Sequence, residues 1–346
     1  MTLSTVTAAN KAQVWDSDFF AQYVRANRFK RFMGTDENAI IQLKEELTKK
    51  AGDKINIPLI AKLTGAGVTG NTALEGAEEA LGNYNHPITV ATLRHGVAVT
   101  DNEQQYTEIG LRDAAKVMLK LWAGEKMRDA IIAALGTKSG IAYGTATEVE
   151  KDAWLVANSD RVLFGTGVGA FTDHSADLLL VTNAMTLSKA IVSKAKGKAE
   201  TASPIVRPVT VTEDEETYVL FCGSGAFRDL KTDLGSVLEN AAVRGKENPL
   251  FRDGDLMYDG VVIRKIPEIA AIGTVGAASA RVEPYYLCGA QALGIGWAQR
   301  TKSTTDVRDY GFVKGCGIHE MRGIEKLIFN GKDHGVFTGY VGALAI

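Results

Sequence analysis

Residues 52–81 read GDKINIPLIAKLTGAGVTGNTALEGAEEAL. Apolar and mostly polar side chains alternate from Ile55 to Leu63, which predicts a strand with one buried face. Pro58 cannot donate a ladder hydrogen bond, so this strand is expected at a sheet edge. Residues 86–99, HPITVATLRHGVAV, match it as a returning strand. The two strands predict a hairpin with an unusually long connection, and long ordered connections are usually functional or held by a partner.

The connection carries a glycine pattern that also occurs in dinucleotide-binding enzymes, G-x-G-x-x-G. Its members here are Gly65, Gly67 and Gly70. A capping box from Thr72 predicts a short helix after them, and that helix would carry Glu75, Glu78 and Glu79. These acids would compete with a pyrophosphate for the positive helix end. We therefore favour an exposed loop, with a nucleotide-dependent enzyme using Gly65–Gly70 as the alternative.

Helical spacing of apolar residues occurs in three further segments. Residues 36–50 predict a helix through Ile40, Leu43 and Leu47. The strongest pattern runs from Gln105 to Leu135, and such a helix would be about 45 Å long. A second long helix is predicted from Ser175 to Lys196. A compact enzyme domain rarely needs a helix of that length, whereas an elongated molecule with a spine does.

The chain beyond Pro204 mixes strands and helices. Strands are predicted in IVRPVTV and TYVLFC, and a helix in AFRDLKTDLGSVLENAA. The segment LMYDGVVIRKI predicts a hairpin, because Asp259-Gly260 between apolar runs is a strong turn signal. Helices and strands do not alternate regularly, so the predicted class is α+β.

Composition excludes several classes of protein. The chain has 346 residues, 45% of them hydrophobic and 23% charged, which is typical of a folded protein. The 39 basic and 41 acidic residues nearly cancel, so no general attraction to nucleic acid is expected. No signal peptide or membrane-spanning stretch is visible. The sparse cysteines, Cys222, Cys288 and Cys316, predict reduced thiols in a cytoplasm.

The remaining motifs predict no catalytic, cofactor-binding or metal-binding residue. Gly165–Gly169 lacks a P-loop ending and is expected to be a strand-to-helix turn, with Asp173 or Ser175 as the N-cap. Cys316 and His319 have no second pair at zinc-site spacing. Gly223-Ser224-Gly225 is too short for a nucleophile motif. The lysines that end the second helix are expected to cap it before Gly197, with phosphate contact as a secondary role: Lys194, Lys196 and Lys198.

Four segments resemble the major capsid proteins of tailed bacteriophages with the Hong Kong 97-type fold. They are residues 52–81, ITVATLRHGVAV (88–99), the helical run from Leu111 to Leu135, and NPLFRDGDLMYDGVVIRKIPEI (248–269). The sequence is similar, more narrowly, to the branch of the N-four-like podophages. Weaker similarity extends across nearly the whole chain.

This resemblance implies a domain order and a function. Residues 1–35 would be an N-terminal arm, 36–104 the extended loop with its flanking elements, and 105–200 a peripheral domain with the spine helix. Residues 201–300 would be the axial domain and 301–346 the return strands of the peripheral domain. The chain would form hexamers and pentamers of an icosahedral shell around viral double-stranded DNA. A non-viral cargo-storing shell protein is a further alternative.

The resemblance also implies partners and contact residues. The expected partners are copies of the same chain, DNA bound without sequence specificity, and separate scaffolding, portal or decoration proteins. No enzyme activity, cofactor or membrane is expected, and the place is the virion after synthesis in the bacterial cytoplasm. Arm contacts would come from Trp15, Phe19 and Phe20. Loop contacts would come from Leu63, Gly65, Gly67, Gly70, Leu74, Glu75, Glu78, Glu79 and Leu81, the glycines letting the tip bend and the acids seeking basic partners.

Overall fold

The computed structural model describes residues 27–45, 52–71, 73–107, 110–212, 215–235, 251–252 and 255–343. Helices and strands are interspersed along the chain, which confirms the α+β class. The chain divides into two compact units. The first unit contains Thr92–Met127 and Gln299–Met321, and the second unit contains Arg28–Ala91, Arg128–Ala298 and Arg322–Ile346.

The described part of the first unit combines three strands with two α-helices. Its elements are β5 (Ala91–Thr100), α1 (Asp101–Tyr106), most of α2 (Leu111–Gly136), and the adjoining parts of β13 (Leu293–Arg308) and β14 (Val313–Lys326). The strands lie in the order β13-β14-β5. The side chain of Thr100 caps α1 by accepting a hydrogen bond from Glu103 N at 3.3 Å. The indole of Trp122 packs on the imidazole of His95, with 4.6 Å between ring centroids.

The spine helix is shorter than the sequence pattern predicts. A single helix from Gln105 was expected, but α1 ends at Tyr106 and α2 begins at Leu111. Thr107 has an extended backbone, with φ −128° and ψ 142°, so the helix cannot continue through it. Gly110 O then accepts hydrogen bonds from the first turn of α2. The 26 residues of α2 make a helix of about 39 Å.

A large sheet forms the centre of the second unit. Its strand order is β6 (Val162–Phe164), β17 (Val336–Gly342), β12 (Val282–Cys288), β8 (Glu215–Cys222), β11 (Val261–Lys265), β10 (Asp255–Tyr258) and β9 (Phe251–Arg252). A further strand, β7 (Val209–Thr212), also pairs with β8. Every residue of β12 and β17 is buried. The core includes apolar residues of α5 (Lys189–Thr201) and α6 (Ser224–Asp233) with those of the central strands.

The predicted hairpin at Asp259-Gly260 is confirmed. Tyr258 pairs with Val261 across the turn between β10 and β11. Both turn residues have positive φ, 51° for Asp259 and 69° for Gly260. This is the type I′ geometry that matches the twist of two antiparallel strands.

Two predicted helices are wrong. Residues Ile41–Lys44 form β2, a strand that lies between β1 (Met33–Gly34) and β13 and is parallel to both. The later part of that predicted helix lies outside the described residues. The helix expected from Ser175 to Lys196 is two helices, α4 (His174–Leu179) and α5. Gly197 lies inside α5 and does not end it.

The remaining elements of the second unit are short. α3 (Glu148–Ala157) begins with a full capping box between Thr147 and Glu150. β15 (Ile328–Phe329) and β16 (Lys332–Asp333) pair with each other. β3 (Lys54–Ile60) and β4 (Asn83–Thr89) form the hairpin predicted from the alternating segment, and the returning strand breaks at Val90 before β5. Within the described chain, no helix is long and apolar enough to cross a membrane.

Candidate assembly surfaces

The hairpin of β3 and β4 is seated on glycines of β13. The inward side chains of Ile55, Ile57 and Ile88 are buried. A Cβ at Gly294 would lie 2.5 Å from Cδ1 of Ile88, and a Cβ at Gly296 would lie 2.9 Å from Cδ1 of Ile55. The isoleucines therefore fill the space that side chains on β13 would occupy, and the base of the hairpin has one fixed position in the second unit.

Glu325 anchors the end of the returning strand. Its Oε1 accepts a hydrogen bond from Thr89 N at 2.9 Å, and its Oε2 lies 3.4 Å from Nε2 of His86. Burial alone would raise the pKa of Glu325, but the neighbouring imidazole and the Thr89 N–H outweigh it and lower that pKa. A carboxylate thus holds β4 at the point where the chain turns into β5.

The loop beyond the hairpin exposes apolar side chains. Ala61 N donates to Gly82 O at 2.9 Å, which closes the hairpin ladder. The helix predicted after Thr72 does not form in residues 73–82, where Ala77 N to Leu74 O makes a single turn. Three leucines of the loop are largely exposed: Leu63 (61%), Leu74 (61%) and Leu81 (58%).

The first glycine of the pattern and the residue before it bind a carboxylate of their own chain. Glu79 reaches back across the loop and accepts hydrogen bonds from Thr64 N at 2.8 Å and Gly65 N at 2.6 Å. The Thr64 hydroxyl donates to the same carboxylate at 3.0 Å. A Cβ at position 65 would lie 2.8 Å from Oε2 of Glu79, so a larger residue there would displace the carboxylate. The two N–H groups and the hydroxyl lower the pKa of Glu79, so this anion site is filled by the loop itself.

The other loop glycines adopt backbone angles that few other residues adopt. Gly67, Gly70 and Gly76 have φ of 71°, 69° and 86°, a region that favours glycine. Gly76 N donates to Oε2 of Glu78 at 2.7 Å, so this second acid also bonds inside the loop. The side chain of Glu75 is exposed. The acids therefore shape the loop as well as charging its surface, a role that no sequence pattern indicated.

Gly223-Ser224-Gly225 forms a second internal carboxylate cradle. Glu283 is buried, and its Oε2 accepts a hydrogen bond from Ala226 N at 2.9 Å in the first turn of α6. A Cβ at Gly225 would lie 2.6 Å from Oε1 of Glu283. Arg281 pairs with Oε1 at 3.0 Å. The motif binds a structural glutamate at a helix N-terminus.

The glycine turn after β6 behaves as predicted. Asp173 caps α4 by accepting from Ala176 N at 2.9 Å. The lysines of α5 do not cap its end: Lys194 donates to Thr166 O at 2.7 Å, and Lys198 donates to Val162 O at 3.2 Å. Lys196 pairs with Asp259 at 3.3 Å. The predicted C-cap role is wrong because α5 continues to Thr201.

A buried polar cluster in the second unit has no counterpart among the sequence motifs. Asp333 accepts hydrogen bonds from Lys326 Nζ at 2.7 Å and Trp154 Nε1 at 3.1 Å. The ammonium group of Lys138 lies 3.4 Å from the centroid of the Trp154 ring. Burial, followed by the charge of Lys326, holds the pKa of Lys138 well below its usual range. These residues are far apart in sequence, so no local pattern joins them.

Part of the predicted arm is packed within the second unit. Phe29 and Phe32 contact the ring of Phe221 edge-on, with centroid distances of 5.0 and 5.3 Å. Arg28 Nη1 donates to Lys265 O at 2.8 Å. The predicted arm contacts, Trp15, Phe19 and Phe20, lie outside the described residues. Among the residues that are described, no group of three His, Cys, Asp or Glu side chains could hold a metal ion.

Residues 4–341 match the family model described as phage capsid protein. The chain belongs to this family of phage capsid proteins. It is 29% identical over 363 residues to the major capsid protein of Pseudomonas phage KPP25, and the match covers 95% of this chain and 94% of that one. It is 38% identical to a chain of the cyanophage Pam1 capsid asymmetric unit, with a TM-score of 0.92 and full coverage of both chains. The capsid of Ralstonia phage GP4 shares the fold, with 24% identity, a TM-score of 0.78 and 99% coverage of each chain.

Membership in this family settles the class of the protein. The phage capsid protein is a structural shell protein with the Hong Kong 97-type fold. The relatives do not support the nucleotide-dependent enzyme or the cargo container, and Glu79 accepts the N–H of Gly65, the first glycine of the pattern on which the enzyme alternative rested. The assignment to the N-four-like branch stays a prediction.

Proposed function

We propose that this chain is the major capsid subunit of a tailed bacteriophage, forming hexamers and pentamers that close an icosahedral shell around double-stranded DNA. The supporting observation is the extended hairpin, whose base is fixed in its own chain while its loop exposes three leucines. An isolated subunit gains little from holding apolar side chains in water. A neighbouring copy that covers them makes the same loop stabilising.

The domain order expected from the resemblance is part of this proposal. The arm would be residues 1–35, the extended loop 36–104, the peripheral domain 105–200 with 301–346, and the axial domain 201–300. The contacts proposed for assembly are those of the arm and the loop. The acids of the loop would meet basic side chains of a neighbour, apart from the bonds that Glu78 and Glu79 make internally.

Shell closure follows from repetition of one set of contacts. A heterologous contact repeats from copy to copy, so a patch on one subunit must complement a different patch on the next. Each contact can be weak, because many copies multiply it. No catalytic step is part of this function.

The proposed partners of the shell are DNA and separate assembly proteins. DNA would contact the inner face through its phosphates, without base readout. Scaffolding, portal and decoration functions would come from separate proteins. The chain would be made in the bacterial cytoplasm and would function in the virion.

Light scattering and negative-stain electron microscopy of the purified chain test this function across concentration and salt. Closed shells, or rings of five and six, are the expected result. The combined substitution Leu63→Ser, Leu74→Ser and Leu81→Ser should block assembly. Leu179→Ser is the matched control, because Leu179 is 59% exposed and lies outside the loop. A wild-type chain that stays monomeric or dimeric under every condition, also when expressed with the scaffolding protein, would overturn the proposal.

A further inference from the structure

The two sides of the extended loop meet where Thr64 and Gly65 face Glu79, and we call this point the neck of the loop. The bonds of Glu79 close it. We propose that Glu79 is the positioning residue for assembly: by tying the two sides of the loop together, it presents residues 66–71 and 73–78 to the neighbouring copy in one fixed shape. This inference rests on the proposed contact between the loop and a second subunit.

The bonds of Glu79 shorten the free part of the loop. The hairpin ladder ends at the bond from Ala61 N to Gly82 O. Without a further link, residues 62–81 would be tied only at that point. Glu79 adds bonds to the backbone of Thr64 and Gly65, so only residues 66–78 lie beyond the last tie.

The site is specific for a carboxylate. Oε1 of Glu79 accepts from Thr64 N and the Thr64 hydroxyl, and Oε2 accepts from Gly65 N and, at 3.0 Å, also from Thr64 N. Each carboxylate oxygen thus faces an N–H donor, and an amide in either orientation would place its NH₂ group against one of them. Charge-assisted bonds of this kind are stronger than neutral ones, and they lower the pKa of Glu79. Gly65 completes the site, since a Cβ there would lie 2.8 Å from Oε2.

The closed neck matters because of where the exposed leucines stand. Leu63 directly precedes Thr64, and Leu81 follows Glu79 by two residues. The tie thus fixes the two sides of the loop from which these side chains project. A surface that is ordered before binding loses less conformational freedom on association. Opening the neck should weaken assembly even though all three exposed leucines are still present.

The test compares Glu79→Gln with Glu148→Gln in the full-length chain. Glu148 is the control, because it is an exposed acid outside the loop whose ion pair with Lys151 lies within one turn of α3, and its variant should assemble like wild type. Trypsin reports on the neck of the unassembled chain, since Lys62 is the one Lys or Arg between Lys54 and Arg94. We expect Glu79→Gln to be cut after Lys62 several-fold faster than wild type. We expect its threshold concentration for assembly to rise by about tenfold, because a small loss per contact is repeated over many copies.

Thermal unfolding of the unassembled chain separates positioning from folding. Its midpoint should be the same for wild type and both variants, because both side chains are exposed and outside the core. Glu79→Asp keeps both acceptor oxygens on a shorter stem and should recover part of the assembly. A Glu79→Gln chain that assembles at the wild-type threshold would overturn the inference. So would impaired assembly without faster cleavage at Lys62.

The leucine variants distinguish this inference from the proposed function. If the combined leucine substitution blocks assembly while Glu79→Gln does not, the loop contact stands and the positioning role falls. If the combined leucine substitution assembles like wild type, the loop is not a contact surface. The proposed loop contact and the positioning role of Glu79 then both fail.

Discussion

The ammonium group of Lys326 lies 2.7 Å from Oδ2 of Asp333, and the two side chains are only 0% and 1% exposed. Lys326 Nζ also donates to Thr137 O at 2.6 Å, and Trp154 Nε1 donates to the same carboxylate oxygen of Asp333. The segment between the two charges contains β15 and β16, so the pair ties this short hairpin to the end of α2. Both charges are removed from water, which makes each depend on the other.

Asp333→Asn should destabilise the unassembled chain by about 3–5 kcal/mol, because it leaves the Lys326 ammonium buried without its counter-charge. Urea unfolding measures the loss. Glu148→Gln is the control, since Glu148 is 54% exposed in its pair with Lys151 and should change the free energy of unfolding by less than about 1 kcal/mol. A loss below that level for Asp333→Asn would show that the buried pair does not stabilise the fold.

Stability should fall as the pH drops from 6.5 towards 3. Burial, followed by the positive charges of Lys138 and Lys151, lowers the pKa of His174 to about 3 from an ordinary 6.5. Between these values the unfolded chain binds a proton that the folded chain does not, so unfolding is favoured by up to about 1.4 kcal/mol per pH unit.

His174→Phe should flatten this slope, because the ring keeps its aromatic neighbours Trp154, Phe164 and Tyr340 and no longer titrates. Urea midpoints at a series of pH values measure it. His319→Phe is the control, because that side chain is only half-buried. An unchanged slope in His174→Phe would exclude His174 as the group responsible.

Two glycine substitutions should act in opposite directions. In Gly323→Ala, the new Cβ would overlap Thr89 O, so backbone must move, at a cost of about 1–3 kcal/mol. In Gly124→Ala, nothing lies within 4 Å of the new Cβ, and Gly124 lies inside α2. That change should stabilise the chain by about 0.5–1 kcal/mol. Paired unfolding curves test both, and equal effects would contradict the packing argument.

Trp15→Ala with Phe19→Ala should weaken assembly more than it weakens folding of the single chain. Light scattering measures the first effect and urea unfolding the second. Phe29→Ala provides the contrast, because Phe29 is fully buried against Phe221 and its loss should cost about 3–5 kcal/mol of folding free energy. Equal loss of folding and assembly in the double variant would count against Trp15 and Phe19 as interface anchors.

The sequence predicted those turns, strands and helix caps that are determined by residues adjacent in the chain. The turn at Asp259-Gly260 was predicted because few residues adopt two consecutive positive φ angles. The strand from Lys54 was predicted because its alternation reflects one buried face. The N-cap at Asp173 is local in the same sense.

Pairing between strands far apart in the chain could not be predicted from the sequence. Ile40 and Leu43 fit a helical spacing, yet Ile41 pairs with Met33 on one side and Leu293 on the other. Parallel pairing with a strand so distant in the chain overrides local propensity. The bonds of Glu79 were missed for a related reason. Its partners lie on the opposite side of a loop whose path has no periodic pattern.

All three cysteines are buried, and burial raises the pKa of the Cys222 and Cys288 thiols. A thiol must ionise and meet its reagent before it can be oxidised. The thiols of a shell built from this chain would therefore stay unchanged when it leaves a reducing cell for oxygenated water. Reductants would neither strengthen nor dissolve such a shell through its cysteines.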